Sequence, residues 1–133
     1  MKNKYILLAL SFSFSVYNSQ ATTYYVKKTG GNNSSVGTSW STAKADLQYA
    51  INLAVNTGDE VWIAAGTYKP THLPSNGATS TTSKDRSFYL DKDIKIYGGF
   101  AGTETVLSQR NIGSNPVILS GDLGGNSPAT ITD

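Results

Sequence analysis

The sequence predicts an all-β solenoid closed at its start by one amphipathic helix. Three observations predict it: a turn-rich composition poor in charge, a β register that recurs along the chain, and a single stretch of helical periodicity. Of the 133 residues, 13 are glycine, none is cysteine, 38% are apolar and only 15% are charged. An ordinary soluble domain carries about 25% charged residues and about 7% glycine, so long solvated helices are disfavoured and frequent turns expected. A chain of this length supports one core.

The first element is read as an export signal. Residues 1–21 open with Lys2 and Lys4, run through the apolar stretch 5–16, and close on Ser19, Gln20 and Ala21, the small-residue pattern of a cleavage site. A membrane anchor would need about 20 apolar residues, and Ser11, Ser13 and Ser15 interrupt this stretch. The expected mature chain is residues 22–133, with no transmembrane segment once the leader is removed. It carries nine basic and nine acidic side chains. Nucleic acid is therefore not an expected partner, because binding by counterion release requires a basic surface.

Residues 23–28 (TYYVKK) are β-branched and aromatic and predict a strand, followed by a Gly/Asn/Ser loop over 30–39. The period then changes. Leu47, Ala50, Ile51, Ala54 and Val55 share one face of a helix of about three turns, with Ser41 or Thr42 as N-cap and Gly58 as terminator. Further strands are predicted over 60–65, 87–90, 93–97 and 117–120, and a polar surface loop over 71–84.

These strands share a register. Val61, Ile63 and Gly66 are echoed by Ile94, Ile96 and Gly99, and again by Pro116, Ile118 and Gly121. Strands that present the same face with no crossover helix between them, at spacings too long for tight hairpins, suit a coil that lays each strand beside the last. The helix would cover the open apolar end of the first coil. A sandwich of short antiparallel strands is the alternative.

The residues GTSW (37–40), DLQYAI (46–51) and GDEVWIAAGTYKP (58–70) resemble the N-terminal entry of right-handed parallel β-helix proteins of the pectin-lyase-like superfamily. IYGGFAGTET (96–105), LSQRN (107–111) and ILSGD (118–122) resemble its continuation in large secreted bacterial proteins, several related to polymorphic outer-membrane proteins. The resemblance implies an N-terminal cap and first coils, with further coils expected after residue 133. It implies a secreted or outer-membrane-associated surface protein whose role is structural, adhesive or carbohydrate-binding, with polysaccharide or cell-surface glycans as partners. The alternative it implies is the leading part of a lyase or hydrolase of acidic polysaccharide, with its catalytic residues further on. No cofactor is expected from these residues, although the resemblance leaves calcium open for a longer protein.

Candidate chemistry is sparse. Absent cysteine excludes disulfides, a thiolate nucleophile and a sulfur-ligated metal. His72, the single histidine, lies among Pro70 and Pro74 in the predicted loop and is expected to decorate it. Asp91 and Asp93 at i, i+2 would project from one face of an extended strand about 6.5 to 7 Å apart, but Lys92 between them fits a solvated turn. Asp122 after Gly121 fits a turn as well as a calcium ligand. Gly98, Gly99 and Gly102 lack phosphate-loop spacing and suit a sharp corner. Asn32 and Asn33 head overlapping N-x-S/T sequons. No catalytic residue and no metal ligand is assigned. For carbohydrate contact the candidates are Trp62 and Tyr97, flat rings suited to pyranose faces, which fall opposite the inward aliphatic set and would otherwise pack beneath a loop.

Overall fold

A computed structural model describes residues 20–123. All but the end of the expected signal peptide lies outside the described residues, as does the β-prone stretch 130–133. The described chain contains five strands: β1 (Thr23–Val26), β2 (Glu60–Ala64), β3 (Gly66–Tyr68), β4 (Lys95–Phe100) and β5 (Val117–Leu119). It also contains one helix, α1 (Leu47–Leu53), and 3-10 turns at Trp40–Thr42, Ser83–Asp85 and Leu107–Gln109.

The strands form two small parallel sheets, one of three strands in the order β1-β2-β4 and one of two, β3-β5. The chain is thus a small mixed α/β unit, and the expected all-β solenoid, a right-handed parallel β-helix, is overturned. In a solenoid every turn of the coil adds a strand to each ribbon. Here the passage after β1 yields a 3-10 turn and α1 instead, and the long stretch 71–92 forms no strand. The antiparallel sandwich fails too, since every pairing between described strands is parallel.

The recurring aliphatic register is displaced. Val61 lies beside Ile96, and Trp62 beside Tyr97, so β4 is shifted by two residues from the predicted alignment of Val61 with Ile94. An even shift preserves the side-chain faces, because strand side chains alternate with period two. The third echo fails: β5 pairs with β3, aligning Gly66 with Val117 and Tyr68 with Leu119, rather than with β4. The predicted strand at 87–90 is irregular, and β3 lies just beyond the strand predicted over 60–65, where none is expected.

The inner faces of β1 and β2 supply Val26, Val61 and Ile63, joined by Tyr68 of β3. Helix α1 closes this core with Leu47, Ala50 and Ile51, and Ala54 follows at its end. The apolar spacing was therefore legible, but the helix is two turns long and ends before Val55, which is 64% exposed. Asp46 occupies the N-cap without a side-chain capping bond. Ser39 instead caps the preceding 3-10 turn, its Oγ accepting from the Thr42 N–H at 3.3 Å. Neither Ser41 nor Thr42 caps α1.

The outer edge of β1 is occupied. The Tyr25 N–H donates to Gly37 O at 2.7 Å, the Lys27 N–H to Lys44 O at 2.8 Å, and the Lys44 N–H returns to Tyr25 O at 2.8 Å. The Lys44 ammonium turns back to donate to the carbonyls of Asn33 and Ser35. Gly31 permits this crossing, since a Cβ there would stand 2.1 Å from Lys27 O and 2.6 Å from Lys44 O.

Candidate functional site

The outer face of the three-stranded sheet carries the aromatic residues. Tyr25, Trp62 and Tyr97 are cross-strand neighbours on β1, β2 and β4. A bulge in β4 at Gly98 and Gly99, the latter with φ +97°, resets the alternation so that Phe100 aligns with Ala64 on this same face. Phe100 stacks on Trp62 with centroids 4.6 Å apart and planes within 7°. Tyr25 meets Trp62 edge-on at 5.7 Å and Trp40 at 4.7 Å, and Trp40 leans on Phe100 at 5.7 Å. Such offset and edge-on pairs add attraction beyond the area they bury.

Polar groups pin the cluster at its margins. The Trp62 indole N–H donates to Glu60 Oε2 at 2.9 Å, and the Trp40 indole N–H to Glu104 O at 2.9 Å. The Glu104 carboxylate accepts the backbone N–H groups of Ala101, Gly102 and Thr103. Partial burial works against its charge, but these donors outweigh it and hold the carboxyl below the usual range. Burial, then the Glu60 carboxylate, pushes the Tyr25 hydroxyl up.

Trp62 and Tyr97 thus stand side by side but unequally available. Trp62 is 6% exposed, with Phe100 stacked on its ring and Tyr25 edge-on to it. Tyr97 is half-buried at the margin of the cluster, with the Arg110 guanidinium carbon 5.3 Å from its ring centroid, within cation–π range. Sequence alternation placed Trp62 and Tyr97 on one face, whereas the pairing of Tyr25 with Trp62 comes from the structure. Phe100 escaped that reading because only the bulge turns it outward, and Trp40 because it arrives from a loop.

His72 is not loop decoration. It is 2% exposed, its Nδ1 lies 2.6 Å from Thr71 Oγ1, and the Tyr49 ring stands edge-on at 5.0 Å. Its backbone bridges Thr79 and Ser87, drawing the 71–87 stretch onto α1. Asn52 also holds this stretch, donating to Gly77 O at 3.0 Å, and Gln48 holds its continuation, its side chain donating to Tyr89 O and accepting from the Tyr89 N–H, each at 2.8 Å. Burial lowers the imidazole pKa, opposed in part by the Asp46 carboxylate.

A depressed folded-state value makes His72 a stabilising group while neutral. Its contribution is whole above the unfolded value near 6.5 and is lost as pH falls through the window below it. Urea unfolding should therefore show stability declining below pH 6.5, by at most about 1.4 kcal/mol per pH unit from this group. His72→Gln should flatten that decline while lowering stability at neutral pH; an unchanged slope would refute it.

Other candidates stand apart. Asp91 and Asp93 precede β4 instead of lying in a strand, both are exposed, and Asp91 accepts a hydrogen bond from the Tyr89 hydroxyl at 3.0 Å. Asp122 lies 3.9 Å from the Lys69 ammonium. Among the described residues no group of three or more acidic or histidine side chains is placed to hold a metal ion. Among them, too, no helix is long and apolar enough to cross a membrane. Asn32 is exposed, whereas the Asn33 side chain is committed to Asp46 and to the N–H groups of Ala45 and Asp46. Comparison with protein-family models, curated proteins and solved structures finds no match, so none of them identifies the chain with the pectin-lyase-like superfamily.

Proposed function

We propose that this is a secreted or cell-surface protein with a structural or adhesive role that contacts carbohydrate through the outer face of its three-stranded sheet. The observation that carries the reading is the cross-strand aromatic row Tyr25, Trp62 and Tyr97, rigidly backed by Phe100 and Trp40. Sugar rings present apolar C–H faces that pack on aromatic rings, and a half-buried ring beside a cation adds a polar contact at the rim. Tyr97 is the contact residue. Trp62, its cross-strand neighbour, is 6% exposed and serves by holding the aromatic layer beside it. The lysine-bearing leader supports export in the same reading.

The test is retention on immobilised polysaccharides, both neutral (cellulose, mannan) and acidic (polygalacturonate). The chain should be retained on at least one, and Tyr97→Ala should weaken retention about tenfold, the loss of one aromatic contact of about 1.4 kcal/mol. The variant should unfold at nearly the parent midpoint. No retention on any of these polysaccharides, or equal retention by the variant, would overturn the reading.

A further inference from the structure

The two sheets differ in how their edges end. On the β1 side, backbone from residues 37–44 takes up the strand's hydrogen-bonding groups. On the opposite side, β4 and β5 are the edge strands of their sheets, and no described strand pairs beyond them. Between them lies a cavity of about 280 Å³ lined by Ile63, Ile96, Arg110, Ile112, Val117 and Leu119. Ile112 is 66% exposed, and Leu119, which also lines the cavity, is 53% exposed. The volume falls just below that of common small-molecule pockets and suits a side chain or two.

The chemistry of this rim specifies its occupant. A strand edge offers unpaired backbone N–H and C=O groups, which an extended backbone satisfies. The apolar trough between the edges accepts an aliphatic side chain. Arg110 is the one charged residue lining the trough, and among the described residues no carboxylate lies within 4.0 Å of its guanidinium. We propose that this groove binds an extended peptide of another protein, added as a strand along Lys95–Gly98 of β4, with an aliphatic residue in the trough and a neighbouring Asp or Glu on Arg110. This goes beyond the carbohydrate reading, which uses the outer face; Arg110, over the Tyr97 ring, stands at the border of both surfaces.

The probe is an acetylated, amidated octapeptide alternating threonine and isoleucine with one central aspartate, titrated into the full chain by calorimetry and by amide NMR. Binding should shift the amides of β4 and β5. Arg110→Glu should weaken it about tenfold, and a peptide with lysine replacing the aspartate should bind that variant better than the parent. A peptide N-methylated at alternate residues should not bind, because its backbone cannot pair. Equal binding of the N-methylated peptide, or no charge-swap recovery, would overturn the proposal. So would a chain that sediments as a dimer with its β4 amides protected, which would make a second copy the occupant. Protection of those amides in the free monomer would overturn it as well, since the edge would then be covered by the chain itself.

Discussion

Phe100→Ala should lower the stability of the chain by about 3 to 5 kcal/mol, the cost of emptying a buried aromatic site. Phe100 is fully buried, stacks on Trp62 and supports Trp40, so truncation removes the centre of the outer aromatic layer. Both tryptophans should lose their packing together. Urea unfolding followed by tryptophan fluorescence measures the effect, and the native emission should shift to the red as Trp62 gains water. Phe100→Leu, which keeps most of the volume, should cost under about 2 kcal/mol. A fall below about 1 kcal/mol for the alanine variant would mean that the layer collapses around the gap, and that Phe100 does not hold the two indoles.

Asp59→Ala should cost about 3 kcal/mol, although it removes only a few atoms. Asp59 is fully buried, with Oδ1 accepting the Thr22 N–H at 2.8 Å and Oδ2 the Asn56 N–H at 3.0 Å. It thereby ties the entry to β1, the turn after α1 and the start of β2 into one knot. Alanine strands two backbone donors, and an unmade buried hydrogen bond costs more than a made one contributes. A carboxamide in place of the carboxylate retains one acceptor but turns an N–H₂ toward a donor, so Asp59→Asn should fall between parent and alanine. Denaturant midpoints rank the three, and amide exchange at Thr22 and Asn56 should accelerate in both variants. A variant as stable as the parent would show that water satisfies both donors.

Several elements were legible in the residues, although the architecture they build was not. The strands at 23–26, 60–64 and 117–119 follow from β-branched and aromatic runs, and α1 from the spacing of Leu47, Ala50, Ile51 and Ala54. What escaped depended on non-local pairing. The two-residue slide of β4 and its bulge at Gly99 are set by how Phe100 and Ile96 settle against β2, and periodicity within one strand is blind to that. The same holds for β5, whose aliphatic pattern fits either sheet and whose pairing with β3 separates the observed fold from a repeating coil. The candidate site was half legible. Alternation placed Trp62 and Tyr97 on the outer face, but the rings that pack on Trp62 come from Tyr25 on β1 and from Phe100 beyond the bulge, distant in sequence. His72 was misread because proline and serine neighbours describe a loop's composition, whereas its burial arises from contact with Tyr49 on α1.

The lateral hydrogen bonds that Lys44 and Gly37 make to β1 also set a limit on self-association. Fibre growth by strand stacking requires a receptive border at both flanks of the sheet, so that each newcomer presents what the previous one consumed. The three-stranded sheet has that border at one flank only, and accretion through it terminates after a single addition.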